Sequence, residues 1–330
     1  MSILCWRTCM SKQLTTSLLR LPTPTAGLAL GIASLGACLE YTLPLHGAGQ
    51  HGGALIATIL LLALTAKFCC HPIRLAQDLQ HAVIGSVVPT YAMGWMLVAK
   101  ALAPIWPLGG QGLWLLAVAI HLCFLGIFIW HRSRHFRLAH MVPAWFVPPV
   151  GIIVADVAFP GGALAPLAHI LLLGGMVSYA VMLPLMLYRF IFRPEIANSA
   201  KPTIAIMAAP ASLSLAGYLS VTAQPSLLLC AILLGIALSM TLLIYLALPR
   251  LLRLPFTPGF AAFTFPLAIG ATALYKLAHS LAAYPMAENY VRQITYLADI
   301  EVTIATLVVG YVALRFVLSC LPCVREPADA

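Results

Sequence analysis

Ten runs of mostly apolar residues, each 19 to 28 residues long, fill the chain from residue 22 to residue 320. A helix needs about 20 such residues to cross the hydrocarbon core of a bilayer, so each run is long enough for one crossing. Only 8% of the residues are charged, whereas a soluble domain carries about 25% because its surface faces water. We therefore predict an all-α integral membrane protein with ten transmembrane helices. They are placed at residues 22–41, 53–71, 82–101, 110–130, 141–159, 163–190, 202–221, 225–248, 258–279 and 296–320.

The basic residues divide unevenly between the two sides of this predicted arrangement. Fifteen of the 18 Lys and Arg fall in the N-terminal segment, the even-numbered loops or the C-terminal tail; the other three are Lys100, Lys276 and Arg292. Cytoplasmic loops carry the excess of Lys and Arg, so the N-terminal segment 1–21 and the tail 321–330 are predicted to be cytoplasmic. They flank one membrane domain, residues 22–320. The first 20 residues contain no apolar core with a cleavage site, which argues against a cleaved signal peptide. The pattern favours a multi-pass protein of a bacterial-type inner membrane.

The net charge of +9 does not indicate nucleic-acid binding, because the basic residues occur in ones, twos and threes between apolar runs. Their densest group lies between His131 and His140, and we predict that it contacts anionic lipid headgroups. That group lacks the defined ligand set of a metal site. Cys320 and Cys323 form a C-x-x-C pair without further ligands nearby. No metal and no cofactor are therefore predicted.

The odd-numbered runs differ from the even-numbered runs in composition. Runs one, five, seven and nine are rich in Gly, Ala, Ser and Thr, whereas runs four, six and eight are dominated by Leu, Ile, Val and Met. Pro89, Pro149, Pro210 and Pro266 lie within runs three, five, seven and nine at separations of 60, 61 and 56 residues. Proline kinks a helix, and backbone freed in this way must be buried or must face a watery cavity. The spacing predicts five helical-hairpin repeats, each pairing an inner and an outer helix; the alternative is that prolines are simply frequent in membrane helices.

Five inner helices that cross in the same direction predict a central pore ringed by five outer helices. The polar side chains available to line this pore are uncharged. We predict a lining made of Thr25, Gly31, Ser34, Ser86, Pro89, Thr90, Pro149, Pro210, Ser212, Ser214, Thr264, Pro266 and Thr272. Conduction needs binding that is weak enough for the ion to leave. A neutral lining with basic residues at the cytoplasmic mouth favours small inorganic or organic anions bound with modest affinity.

Several motifs resemble those of a known family over essentially the whole chain. They are Lys201-Pro202-Thr203 followed by Ala209-Pro210 and Tyr218, the run from Ala261 to Pro266, Pro22-Thr23 with Gly27 and Gly31, and Pro143 through Trp145 to Gly151. In order and spacing the chain resembles the tellurite-resistance/dicarboxylate transporter family, which includes bacterial TehA and the slow anion channel of plant guard cells. The resemblance implies a homotrimer in which each subunit has its own five-helix pore. The first helix departs from the family pattern at Pro24-Thr25-Ala26, where an aromatic residue is expected.

The resemblance also implies that a phenylalanine from the ninth helix plugs the pore. In the matching Ala-aromatic-Thr-Phe-Pro pattern this residue is Phe265. Phe263 lies two residues earlier and would point elsewhere on a helix. Phe146, directly before the predicted kink of the fifth helix, is a further candidate for a constriction. The alternative for Phe265 is an ordinary packing role in an apolar helix, and the alternative for Phe146 is anchoring beside Trp145.

Asp156 is the one acid clearly inside a predicted span. Intramembrane acids are costly and often functional, so proton coupling through Asp156 is one hypothesis, and contact with interfacial water is the other. Glu40, Asp299 and Glu301 are predicted to be solvated at outer span ends. The first functional hypothesis is a channel or passive transporter for small anions; the second is a proton-coupled C4-dicarboxylate carrier or an exporter conferring resistance to tellurite or other toxic compounds. The sequence contains neither H-E-x-x-H nor G-x-S-x-G, so we predict no enzyme activity of those classes.

Overall fold

The computed structural model describes residues 18–134 and 136–320. This part of the chain is helical and contains no β-strand. Most of the predicted N-terminal segment 1–21 lies outside the described residues, as does the whole tail 321–330 with Cys323. The described residues thus cover nearly all of the predicted membrane domain 22–320.

Helical structure coincides with each of the ten predicted runs. We number the helical segments α1 to α10: Thr25–Leu39, Ala48–Cys70, Ile84–Leu102, Pro107–Arg134, Pro143–Val157, Ala165–Phe192, Asn198–Val221, Leu227–Leu251, Pro258–Leu281 and Pro285–Ser319. Among the described residues, seven of them (α2, α4 and α6 to α10) are long and apolar enough to cross a membrane. Segment α3 passes that test together with the short helix Pro72–Gln80, to which it is bent by 105°, while α1 and α5 are shorter apolar helices.

Burial alternates along the chain. The most apolar 18-residue stretch of each helix shows the difference. In α7 and α9, 72% and 89% of this stretch is buried, whereas the buried share in the five even-numbered helices is 28% to 39%. In α5 every residue except Pro149 is buried, and α1 and α3 bury most of their residues as well. The even-numbered helices instead expose many Leu, Ile and Val side chains, as expected for surfaces that face lipid. The odd-numbered helices therefore lie inside and the even-numbered helices lie outside.

The odd-numbered helices contact one another in a closed sequence. Segment α1 packs against α3, α3 against α5, α5 against α7 and α7 against α9, and α9 returns to pack against α1. Each of them also packs against the even-numbered helix that follows it. Small residues permit close backbone approach between helices in membranes; between α1 and α2, for example, a Cβ on Gly36 would lie 2.4 Å from the Gly49 carbonyl oxygen.

The prolines of α7 and α9 mark changes of helix type rather than simple kinks. Segment α7 begins as a 3₁₀-helix over Asn198–Ala208 and becomes an α-helix at Ala209, with Pro210 in its first turn. Segment α9 begins as a 3₁₀-helix over Pro258–Phe263 and becomes an α-helix at Thr264. Proline is tolerated in a first turn because the N–H groups there have no intrahelical partner. The spaced prolines therefore start the α-helical halves of the inner segments.

Segments α3 and α5 show related breaks. Pro89 directly precedes the α-helix Thr90–Leu102 and follows the short helix Ile84–Val87. Segment α5 changes between 3₁₀ and α-helix several times, with Pro149 in its short α-helical stretch Val147–Val150. Its backbone is accordingly irregular, which in a membrane requires burial in protein or contact with a watery cavity.

Candidate functional site

A cavity of about 530 Å³ lies between the N-terminal halves of all five odd-numbered segments. One residue from each wall shows the arrangement: Leu30, Val87, Val150, Ile206 and Ala261. Because each segment contributes its N-terminal half, the five run in the same direction around the cavity. Leu19 and Arg20, both exposed, line one edge of it, which we call the mouth.

Two of the three predicted gate residues line this cavity. Phe265 is 8% exposed and is followed by Pro266, which lines the wall with it. Phe146 lies on the α5 wall and packs edge-on against Tyr179 of α6, with ring centroids 5.9 Å apart. Phe265 is thus on the cavity surface, and Phe146 is anchored to an outer helix.

Phe263 lies elsewhere. Its side chain is fully buried and packs edge-on against Phe260, with ring centroids 5.1 Å apart. It does not line the cavity. Phe263 therefore packs between helices in this structure, and its role as a gate stays a prediction.

The other residues predicted to line the pore divide into two groups. Thr90, Pro210 and Pro266 line the cavity. Those that the cavity wall does not include are Thr25, Gly31, Ser34, Ser86, Pro89, Pro149, Ser212, Ser214, Thr264 and Thr272. Several of these hydroxyls donate instead to backbone carbonyls three or four residues earlier in the chain: Ser86 to Val83, Ser212 to Ala208, Ser214 to Pro210 and Thr272 to Ala268. A hydroxyl satisfied in this way can be buried between helices at little cost, so its position on an inner helix does not require a pore-facing side chain.

Basic residues were expected at the mouth, but three charged side chains also belong to the cavity wall, which was predicted to be neutral. Arg20, Lys67 and Asp78 all line the cavity. Lys67 lies in the last turn of the outer helix α2, and its side chain is only 7% exposed. From the sequence, Lys67 was assigned only to the group of basic residues on the cytoplasmic side. The position of this lysine inside the second apolar run, residues 53–71, was the available signal for a buried role.

Asp156 is fully buried at the C-terminal end of α5, away from the cavity wall. Neither of its carboxyl oxygens has a hydrogen-bond partner within the described residues. Contact with interfacial water, one of the two hypotheses from the sequence, does not fit this burial. An unpaired carboxylate is costly in such a place, and proton coupling remains a hypothesis for this residue.

Glu301 corrects a second expectation. It was predicted to be solvated, but it is only 3% exposed, and its Oε2 has no hydrogen-bond partner among the described residues. This oxygen lies 2.5 Å from the position that a Cβ would take on Gly270 of α9, so the glycine makes room for the carboxyl group. Ser212 and Thr241 border the same small space, whose volume of about 10 Å³ is near the minimum for one water molecule.

The predicted lipid-contacting group between His131 and His140 combines exposed and anchored side chains. Arg132 donates to the Gln80 carbonyl oxygen at 2.5 Å, and the Arg134 guanidinium lies 3.8 Å from the centre of the Trp130 ring. Within the described part of the chain, no group of three or more His, Cys, Asp or Glu side chains is arranged to hold a metal ion.

Comparison of the sequence with known proteins supports a function in transport across a membrane. Residues 15–317 match the family model described as "Voltage-dependent anion channel". Two relatives from Methanocaldococcus jannaschii are described as uncharacterized transporters. One is 23% identical over 248 residues, covering 65% of this chain and 70% of the relative; the other is 25% identical over 223 residues, covering 58% and 62%. The family resemblance derived from the motifs is thereby confirmed. The chain belongs to the voltage-dependent anion channel family, and it is a multi-pass membrane protein with a role in anion transport.

Proposed function

We propose that the protein is a channel or passive transporter for small anions, whose path begins in the 530 Å³ cavity and is closed by Phe265. The observation that carries this proposal is that all five inner segments direct their N-terminal halves at one cavity. In the proposed path, an anion passes from this cavity along the axis between the five helices. The proposal includes ten crossings arranged as five helical hairpins.

The electrostatics of the cavity favour anions. A helix N-terminus carries about half a positive charge from its unpaired N–H groups. The α-helices that begin at Thr25, Thr90, Ala209 and Thr264 each start at, or one residue from, the cavity wall. Arg20 and Lys67 add full positive charges near the mouth. Asp78 also lines the cavity and offsets the charge of Lys67, so the wall keeps the positive charge of Arg20 among otherwise neutral residues. Sites of this kind bind weakly enough to let an ion leave.

Phe265 is the proposed gate. It lies on the cavity surface at the start of the α-helical half of α9, directly before Pro266. An apolar ring across a narrow path excludes water, and an ion without water or a partner group faces a large free-energy barrier. Phe146 on the α5 wall narrows the same cavity.

Orientation and assembly complete the proposal. The mouth lies at the ends of the segments that the Lys and Arg distribution assigns to the cytoplasm, so both termini are cytoplasmic in an inner membrane. The family resemblance favours a homotrimer with one pore per subunit, and the basic group between His131 and His140 contacts anionic lipids. Reporter fusions within residues 131–140 and 42–52 test the orientation: the first should report the cytoplasm and the second the external side. An external signal at 131–140 would contradict the ten crossings.

Flux through the purified protein in liposomes tests the function. We expect nitrate and chloride to move down their gradients, to follow an imposed membrane potential, and to be indifferent to a proton gradient. Absence of anion flux above that of empty liposomes, also for the variant Phe265→Ala, would contradict the proposal.

A proton-coupled C4-dicarboxylate carrier, or an exporter conferring resistance to tellurite or other toxic compounds, is the second candidate. The observation that favours coupling is the pair of buried acids, Asp156 and Glu301, each with an unpartnered carboxyl oxygen in the described part of the chain. Intramembrane acids of this kind often carry protons in transporters. Succinate uptake that requires a proton gradient would favour this candidate over the first.

A further inference from the structure

Three polar side chains from three different elements meet on the cavity wall. Lys67 comes from the end of α2, Thr23 from the segment before α1, and Asp78 from the short helix Pro72–Gln80. The Lys67 Nζ donates to the Thr23 Oγ1 at 2.9 Å, and the Thr23 hydroxyl donates to the Asp78 Oδ2 at 2.5 Å. The hydroxyl therefore bridges the ammonium and the carboxylate, whose charged atoms are 4.0 Å apart.

The ammonium of Lys67 is buried yet incompletely satisfied. Its side chain is 7% exposed, and an ammonium carries three N–H donors. Within the described residues Thr23 accepts one hydrogen bond from it, and Asp78 stands at the outer limit of an ion pair. A buried charge is costly unless hydrogen bonds and an opposite charge compensate it. The ammonium also lies 5.8 Å from the centre of the Phe68 ring, and Lys67 lines the cavity.

The bend of the chain brings Asp78 to this position. The helix Pro72–Gln80 lies at 105° to α3, and Asp78 near its end lines the cavity with Lys67 and Thr23. Arg74 lies on the same short helix, and Arg20 also lines the cavity. Lys67 and Asp78 are of opposite sign, so together they add no net charge to the wall.

We propose that Lys67 binds the transported anion and that Asp78, held to it through Thr23, makes the cavity select monovalent over divalent anions; this inference rests on the proposed function. The attraction of a site for an ion grows in proportion to the charge of the ion, whereas the free energy needed to strip water from the ion grows with the square of that charge. A strongly positive site can offset the cost for a dianion. A site weakened by a neighbouring carboxylate offsets it only for a monoanion.

The sulfate-to-nitrate permeability ratio, measured in planar bilayers with the purified full chain, tests the role of Asp78. Asp78→Asn removes one negative charge near the bound anion, and we expect the ratio to rise roughly tenfold or more. The matched control is Glu195→Gln, which makes the same chemical change at an exposed carboxylate that lies 3.5 Å from Lys201 and does not line the cavity. The control should leave the ratio unchanged. An unchanged ratio in folded Asp78→Asn overturns the inference.

The half-saturating nitrate concentration tests the role of Lys67. Lys67→Gln should raise this concentration at least about fivefold, since a charge-assisted contact to the anion is lost, while Lys67→Arg should stay near the wild type. Because Lys67→Gln leaves Asp78 without its cation and can fold poorly, the double variant Lys67→Gln/Asp78→Asn provides a second readout. It should also show a rise, but a smaller one, because the carboxylate that repels the anion is removed as well. A half-saturating concentration like that of the wild type in the double variant would overturn the assignment.

The two proposals fail in different ways. If the wild type and Phe265→Ala carry no anion at all, the proposed function fails and the inference falls with it. If they carry nitrate and the ratio and half-saturation do not respond to Asp78 and Lys67, only the inference fails.

Discussion

The Thr264 hydroxyl of α9 lies 3.0 Å from the Gly27 carbonyl oxygen of α1 and 2.7 Å from the Ala261 carbonyl oxygen of its own segment, and these two oxygens share its single donor hydrogen. Gly27 lines the cavity, and so does Phe265, which directly follows Thr264. One turn further along α1, a Cβ on Gly31 would lie 2.2 Å from the Thr264 Oγ1 and 3.0 Å from the Phe265 backbone nitrogen. The close approach of α1 and α9 at these residues therefore fixes the position of Phe265 relative to the cavity.

Gly31→Ala is expected to destabilise the protein. The added methyl group would overlap the Thr264 side chain, and overpacking of this kind costs about 1–3 kcal/mol. Thermal unfolding in detergent measures the effect as a lowered midpoint. Gly235→Ala is the matched control, because nothing lies within 4 Å of a Cβ there; since alanine is the better helix former, this variant should be as stable as the wild type or more so. A Gly31→Ala variant that is as stable as Gly235→Ala would show that α1 and α9 are not in close contact.

Glu40 gives an expected pH dependence outside the spanning segments. Its carboxylate accepts hydrogen bonds from the backbone N–H groups of Gly47 at 2.9 Å and Gln50 at 3.1 Å, at the start of α2. The Gly47 N–H is the main cause that lowers the pKa of Glu40 below its ordinary value of 4.5. A lowered pKa in the folded state means that the stabilisation is present above about pH 4.5 and is lost as the pH falls through the folded value.

Glu40→Gln should therefore lower the unfolding midpoint at pH 7 and reduce the difference between pH 7 and pH 4. The measurement is thermal unfolding of both proteins at the two pH values, with each protein serving as its own control. An equal loss of stability on acidification in the variant and the wild type would show that Glu40 does not contribute to the acid sensitivity.

The sequence predicted the helices well because their causes are local. Apolar runs of sufficient length form helices in a bilayer wherever they occur, and small residues and prolines distinguished the buried segments from the exposed ones. The site was less predictable, because it depends on which face of each helix is turned inward. Ser86 and Ser214 satisfy their hydroxyls on backbone carbonyls three or four residues earlier in the chain, so a polar residue on an inner helix does not identify the cavity wall.

The burial of Lys67 and Glu301 was not predicted from the sequence, because their surroundings depend on how the helices pack against one another. Lys67, at the end of α2, meets Asp78 on the cavity wall. Asp78 is brought there because the short helix Pro72–Gln80 is sharply bent from α3, and no sequence periodicity encodes such a bend. Glu301 was placed near a span end, but α10 begins at Pro285, eleven residues before the predicted start. The carboxyl group consequently lies several turns inside the helix, where it is buried against Gly270.

Asp156→Asn is expected to leave anion flux unchanged. Asp156 is fully buried outside the cavity wall, and its carboxyl oxygens have no partner in the described part of the chain, so a passive path through the cavity does not involve it. The substitution also replaces a buried carboxyl group, which can carry an unpaired charge, with a neutral amide. It should therefore maintain or raise the unfolding midpoint. Nitrate flux with and without a proton gradient measures the first effect. Loss of a gradient-dependent component in this variant would favour the proton-coupled candidate.

Phe265→Ala is expected to raise anion flux by an order of magnitude or more while the fold is kept. The ring lies on the surface of the cavity, so its removal widens a path instead of leaving an empty space in a packed core. An ion then keeps more of its water in the narrowest part, and the barrier falls because unpaired charge is no longer buried. Nitrate or chloride current through the purified variant in bilayers measures the change.

Phe263→Ala is the matched control, since it removes the same ring two residues away on the same segment. Phe263 is fully buried against Phe260, so its loss leaves a cavity that costs roughly 3–5 kcal/mol, with a lower unfolding midpoint and no added current. Phe146→Ala should increase the current less than Phe265→Ala, because Phe146 is 1% exposed and is held against Tyr179 of α6. Unchanged current in a well-folded Phe265→Ala protein would remove this residue as the gate, and a gain at Phe263→Ala instead would assign the gate to that ring.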